Sequence, residues 1–263
     1  MELTSLTFGE YSLVYNMFSF SIAAMLAAGA FFILARDRVS PEYRISLVVS
    51  TLVVGIAAYH YFRITGSWAS AFELSSSGKE YLASGEPFND AYRYVDWLLT
   101  VPLLLVELVL VLNLSRQKSG PLLTKLVIAA TFMIALGYPG ELLSADSMFS
   151  ERGIWGLLST IPFVYILYIL FGELGTAMEG QPERVRVLFR NIRLLLIFTW
   201  GFYPIVYMAP FWGLTGSASL VTIQVGYTIA DVLAKAGYGV MIYAIAREKS
   251  LAEGYSIQEA ISS

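Results

Sequence analysis

The sequence contains no cysteine and a single histidine, His60. That excludes a disulfide framework, thiolate chemistry and a zinc or haem centre built from the usual ligands. Charge is scarce as well. The 17 Lys and Arg and 20 Asp and Glu amount to 14% of 263 residues, and the net charge of −3 gives no footing for nucleic acid. No basic run opens the chain, and Met1 to Glu10 contain Glu2, so a cleaved signal peptide is not expected. The stretch Leu194 to Ala230 has no Asp, Glu, Lys or Arg at all. What is left is apolar: 57% hydrophobic residues and a mean hydropathy of +0.64, the composition of a membrane protein.

A bilayer span needs about 20 apolar residues. Seven such segments are predicted, at about Tyr11–Ala35, Ile45–Ser67, Tyr92–Leu114, Leu122–Leu143, Gly153–Ala177, Val185–Ala209 and Leu220–Arg247. Pro210, Gly213 and Gly216 divide the uncharged stretch between the sixth and seventh. The expectation is an all-α membrane protein, one seven-transmembrane-helix domain over residues 1–263, with the bundle at about 11–247. Residues 68–90 form the longest loop, and the turn signals within Ser75–Phe88 allow a short β-hairpin there. A polar tail follows over 248–263.

Seven spans put the termini on opposite sides. Arg36, Arg38, Arg44, Arg116, Lys118, Lys125, Arg184, Arg186, Arg190, Arg193, Arg247 and Lys249 fall on one side and are read as loop or end residues. Only Arg63, Lys79 and Arg152 fall on the other, beside Glu2, Glu10, Glu73, Glu80, Glu86, Asp146 and Glu151. This asymmetry places the N-terminus outside and the C-terminus in the cytoplasm. The partner is then the lipid bilayer, and the location a cell membrane crossed several times, with a bacterial inner membrane as the expected setting.

Within the seventh segment, Lys235 is accompanied only by Asp231 among charged residues from Val225 to Ala246. An ammonium at bilayer depth costs roughly 2.5–3.5 kcal/mol on insertion scales and is by default functional. Asp231, four residues earlier, lies on the same face one turn away. In the third segment Asp96 and Glu107 are eleven residues apart, which puts them on one face about 16 Å apart along the axis, with Thr100 between. From outside to inside the order is Arg93, Asp96 with Asp231, Lys235, and Glu107: a row of protonatable groups around a buried lysine. The plainer alternatives are structural ion pairs, a snorkelling Glu107 and an interfacial Arg93.

Three stretches carry a resemblance over nearly the whole chain: Arg93-Tyr-Val-Asp-Trp-Leu-Leu-Thr-Val-Pro102, Trp200-Gly-Phe-Tyr-Pro204 and Asp231-Val-Leu-Ala-Lys235. They resemble the microbial (type 1) rhodopsin family. The resemblance implies all-trans retinal held covalently as a protonated Schiff base at Lys235, Asp96 as counterion and proton acceptor, Asp231 as second counterion and Glu107 as cytoplasmic donor. Asp96, Thr100 and Glu107 match the Asp-Thr-Glu pattern of proteorhodopsin-type outward proton pumps, and Tyr59-His60-Tyr61 implies that His60 hydrogen-bonds Asp96. The retinal pocket by resemblance is Trp97, Leu104, Met133, Gly137, Ser159, Phe163, Trp200, Tyr203, Pro204 and Tyr207, and Leu104 implies green absorption.

Gly156, in Ile154-Trp-Gly-Leu-Leu-Ser159, stands where many members carry Trp. With Phe88-Asn-Asp90 and Gly137-Tyr-Pro-Gly-Glu141 it makes the chain similar to the xanthorhodopsin-like subgroup, in which such a glycine opens a window for a carotenoid antenna. The alternative, that Gly156 serves close helix packing, stays open. The segment from Pro210 to Ala230 lacks the acid pair through which the best-known archaeal pump releases its proton, so another exit from Asp96 is needed. The family implies trimers or pentamers. Transport rather than an enzymatic reaction is the expected activity. Two rivals are a photosensor on the same fold, which would need a transducer, and a retinal-free secondary transporter, against which the lack of internal repeats weighs.

Overall fold

A computed structural model describes residues 4–143, 149–179 and 181–255. The outer charges Glu2 and Asp146 and the second half of the polar tail lie outside the described residues. Seven long helices form the bundle: α1 Phe8–Ala35, α2 Pro41–Ala71, α3 Ala91–Leu112, α4 Arg116–Glu141, α5 Glu151–Met178, α6 Glu183–Tyr207 and α7 Gly216–Ala252. Every helix but α6 is long and apolar enough to cross a membrane, and α6 differs because Arg184, Arg186, Arg190 and Arg193 occupy its first turns. A helix suits this setting because it satisfies its backbone polar groups internally.

The helices outrun their apolar stretches, and at α1 and α5 a polar side-chain cap starts the helix ahead of the first apolar residues. Thr7 and Glu10 close a reciprocal capping box on α1, with Thr7 N donating to Glu10 Oε2 at 2.8 Å and Glu10 N to Thr7 Oγ1 at 3.2 Å. Ser40 precedes Pro41 at the first position of α2, and Ser150 Oγ accepts from Gly153 N at the start of α5. The reading of most basic residues as loop residues is thereby corrected. Only Arg36 and Arg38, in a 3₁₀ turn, and Lys79, in a hairpin, lie outside the seven helices. Arg152 is in the first turn of α5 and is buried. Lys249 is buried too, its Nζ donating to the Val111 and Leu112 carbonyls at 3.0 and 3.2 Å and so tying α7 to the end of α3.

A hairpin forms at 72–83, with its first strand ahead of the expected Ser75–Phe88 and with 68–71 still helical in α2. Strands β2 Phe72–Leu74 and β3 Glu80–Ala83 pair antiparallel around a turn with Gly78 at φ 69°. An unforeseen strand, β1 Leu6–Thr7, adds to the free edge of β3, giving the order β1-β3-β2. This sheet marks one end of the bundle, and the ends of α2, α4 and α6 that carry Arg44, Arg116 with Lys118, and Arg184 to Arg193 lie at the other. The break between α6 and α7 is a 3₁₀ turn, Ala209–Trp212, with left-handed Gly213 and Gly216 after it. Of the apolar spans, α3 is the most enclosed and α5 the least. Leu34, Phe62, Leu157, Tyr168 and Phe198 point outward, as a lipid-facing surface requires. Helix α3 runs unbroken through Pro102.

Candidate functional site

The site forms where α7 departs from α-geometry. Val232–Gly237 is a π-turn inside α7, flanked by α-helical Gly216–Asp231 and Tyr238–Ala252, and it carries Lys235. Such local rewinding is frequent at functional sites. Asp231 and Lys235 remain neighbours across it, with Nζ 2.5 Å from Asp231 Oδ1. The same Nζ lies 2.8 Å from Asp96 Oδ2 on α3. All three residues are at most 1% exposed. An ammonium so deeply buried is tolerable only because two carboxylates face it.

The two carboxylates differ in their remaining partners. Asp231 is saturated: Trp97 Nε1 donates to Oδ1 at 3.0 Å, Tyr203 OH to Oδ1 at 2.5 Å, and Tyr61 OH to Oδ2 at 2.7 Å. Asp96 Oδ1 is buried with no hydrogen-bond partner among the described residues. Thr100, between Asp96 and Glu107 as the spacing predicts, gives its hydroxyl to the Asp96 main-chain oxygen at 2.8 Å and not to the carboxylate. His60 stands beside Asp96 with Nδ1 4.0 Å from Oδ1, but that nitrogen is closer to the Ile56 carbonyl oxygen, at 3.0 Å. The structure therefore brings His60 next to Asp96 without a direct hydrogen bond. Asp96 has an oxygen open to a proton and Asp231 has none.

Arg93 sits on the sheet side of this cluster, 3% exposed. Its Nη1 donates to Tyr61 OH at 3.1 Å and lies 4.0 Å from Asp231 Oδ2. Toward the opposite end of α3, Glu107 is fully buried and takes a hydrogen bond on Oε2 from Ser50 Oγ of α2, while Oε1 has no partner among the described residues. Full burial rules out snorkelling for Glu107.

From Lys235 a cavity of about 420 Å³ runs between α3, α4, α5, α6 and α7. That size suits one ligand of drug-like dimensions. Trp97, Leu104, Met133, Gly137, Ser159, Phe163, Trp200, Tyr203, Pro204, Tyr207 and Gly156 all line it. Ser159 Oγ is turned away to the Met133 carbonyl at 2.7 Å, which leaves the wall apolar. A narrow apolar slot with flat aromatic walls and an amine at one end fits a polyene aldehyde able to condense with Nζ. At Gly156, a Cβ would come 2.8 Å from Tyr207 Cε1, so the absent side chain is what lets the Tyr207 ring lie against α5.

Several contributors are not evident in the sequence. Tyr61 and Ser50 read as ordinary residues of an apolar span. Gln224 carries a signal, being seven residues, or two turns, before Asp231 on the same face. At the sheet end of the cavity, Glu141 accepts from Tyr94 OH at 3.2 Å and Tyr227 OH at 3.1 Å and lies 3.5 Å from Arg152 Nη2. Arg152 also donates to the carbonyls of Gly140, Glu141, Leu143 and Tyr207, fastening α4, α5 and α6 together.

Comparison with known proteins gives one consistent picture. Residues 13–249 match the family described as bacteriorhodopsin-like protein. The green-light absorbing proteorhodopsin of Gamma-proteobacterium EBAC31A08 is 32% identical over 231 residues, 87% of this chain and 84% of that one. The crystallographic structure of xanthorhodopsin, described as a light-driven ion pump with dual chromophore, is 60% identical, with a TM-score of 0.91 over 97% of this chain and 100% of that one. A thermophilic rhodopsin structure is 51% identical, with a TM-score of 0.90 over 97% and 100% of the two chains.

Proposed function

The chain belongs to the bacteriorhodopsin-like family, and from that premise we propose that it is a light-driven outward proton pump with all-trans retinal bound at Lys235. The observation that carries the reading is the Lys235 amine, set between Asp96 and Asp231 at the closed end of an apolar cavity. Lys235 Nζ would form the covalent link, with Trp97, Trp200, Tyr203 and Pro204 as the walls. Retinal joined to Nζ would supply light absorption and a change of shape that turns the proton-bearing nitrogen against its surroundings.

The residues of the chain then set what happens to that proton. Asp96 receives it, since of the two carboxylates that face Lys235 it is the one with an oxygen, Oδ1, that has no donor among the described residues. Asp231, held by Trp97, Tyr203 and Tyr61, stays an anion and keeps the site's positive charges in place. Glu107, steadied by Ser50 in dry surroundings, resupplies the nitrogen from the other side. His60 steadies Asp96 from α2, and Leu104 sets green absorption. Direction rests on charge: the basic residues gather at the end opposite the sheet, and the positive-inside tendency makes that end cytoplasmic. Glu107 is then the inner group, Arg93 the outer one, and transport runs outward across a bacterial inner membrane.

A carotenoid antenna at Gly156 belongs to the same proposal. The xanthorhodopsin relative, described as having a dual chromophore, supports it, as does the position of Gly156 on the wall of the cavity next to the outward-facing Leu157. Assembly into trimers or pentamers completes the reading. The test is addition of all-trans retinal to the purified apoprotein. A visible band that Lys235→Ala cannot form supports the reading, and the same absorption in both proteins refutes it.

A further inference from the structure

The sheet end of the proton path holds an acid to which the roles above give no work. Asp90, just before α3, has both carboxylate oxygens engaged by residues that face the site. Arg93 Nε approaches Oδ1 at 3.5 Å, and Gln224 Nε2 donates to Oδ2 at 3.2 Å. Arg93 Nη2 in turn donates to Gln224 Oε1 at 2.6 Å, so the three side chains close a ring. Gln224 and Arg93 are buried, but the Asp90 side chain is 22% exposed. On the inner side of Arg93 lies a cavity of about 10 Å³ bounded by His60, Tyr61, Ile64, Arg93, Asp96 and Asp231. That is room for about one water. The unpartnered Asp96 Oδ1 is one of its buried neighbours. The small cavity separates Asp96 from Arg93, and from Arg93 hydrogen bonds continue through Gln224 to an acid at the surface.

We propose that Asp90 is the exit carboxylate of the pump, a proposal that rests on the outward-pump reading. The O–H bond at Asp96 breaks, its proton crosses by way of water in the small cavity, and an O–H bond forms at the Asp90 carboxylate. Solvent water then takes the proton from Asp90, which returns as an anion beside Arg93. Arg93 and Gln224 are positioning residues that hold the ring shut between turnovers. Among the described residues, the other acids at this end are either bonded elsewhere or, like Glu151, exposed away from the site. Glu10 bonds Thr7 and Ser217, and Glu141 bonds Tyr94 and Tyr227 beside Arg152. Glu73, Glu80 and Glu86 are exposed on the sheet and its loop.

The experiment follows flash-induced proton appearance with a pH-sensitive dye in retinal-loaded protein, for wild type, Asp90→Asn and Asp90→Glu. Asn keeps an acceptor oxygen for Arg93 or Gln224 but cannot carry a proton. Release in Asp90→Asn should slow at least about tenfold, as for a lost proton-transfer group. The visible band should keep its position, and Asp90→Glu should restore fast release. A transient carboxyl infrared band of wild type should be missing in the Asn variant. Wild-type timing in Asp90→Asn overturns the proposal, and so does an equal slowing with a displaced band in both variants, which would mark a structural role. Absence of light-driven proton release in wild type itself would overturn the pump reading and this exit with it.

Discussion

Replacing Asp231 by Asn tests the electrostatic centre of the molecule with almost no change of shape. Four donors converge on this carboxylate: Lys235 Nζ and Tyr203 OH at 2.5 Å, Tyr61 OH at 2.7 Å and Trp97 Nε1 at 3.0 Å. An amide offers one acceptor oxygen, and its NH₂ would be thrust against groups that are themselves donors. The substitution also leaves the buried Lys235 with Asp96 as its remaining carboxylate, while Arg93 keeps Asp90. Breaking a buried pair by removing one partner costs about 3–5 kcal/mol. Each phenol or indole donor left unpaired adds about 1–3 kcal/mol. The costs overlap, because these groups share one acceptor, so a total near the lower sum is expected, about 4–6 kcal/mol. The assay is denaturant unfolding of apoprotein in detergent for wild type, Asp231→Asn, Tyr61→Phe and the double variant. Tyr61→Phe should cost about 1–2 kcal/mol in wild type and clearly less once Asp231 is Asn, where the bond from Arg93 Nη1 is what remains to be lost. Equal stability of Asp231→Asn and wild type, or full additivity of the two substitutions, would refute the view of Asp231 as the charged hub.

Asp96→Asn should abolish light-driven proton movement and shift retinal absorption to the red, read by spectroscopy and by medium pH. An unshifted band would mean that Asp96 does not face the charged nitrogen. Glu107→Gln should slow resupply of the nitrogen's proton by about 10²-fold or more, and Ser50→Ala should alter the same step to a smaller degree; flash photolysis reads both, and an unchanged rate in Glu107→Gln would remove its donor role. Gly156→Trp must displace the Tyr207 ring, which a Cβ alone would approach to 2.8 Å. Overpacking of this kind costs about 1–3 kcal/mol. Carotenoid-sensitised excitation of retinal fluorescence should be present with the native glycine and lost in the Trp variant, and equal sensitisation in both would refute the window.

The parts of this site that were legible in the sequence are those that a single helix encodes. Asp231 and Lys235 are four residues apart, and Asp96 and Glu107 eleven, so each pair shares a face before any packing is known. The spans themselves stood out because a bilayer demands unbroken apolar length. Relations between helices were not legible in that way. Ser50 meets Glu107, and Tyr61 meets Asp231, only because α2 packs its one suitable face on α3 and α7. The π-turn around Lys235 has no proline to announce it. Arg152 looked like a loop charge because its partners are main-chain carbonyls and a glutamate brought in by other helices. The reach of β1 back to β3 likewise depends on contacts between distant parts of the chain. His60 lies buried beside Asp96 at 4.0 Å, without the direct hydrogen bond that the resemblance implies.

The most direct measurement is the light-induced pH change of a cell suspension expressing the chain with retinal, beside the same cells expressing Lys235→Ala. The account expects the medium to acidify on illumination, the change to vanish with a protonophore, and Lys235→Ala cells to show none. Alkalinisation of the medium, no response, or the same response from Lys235→Ala cells would contradict it.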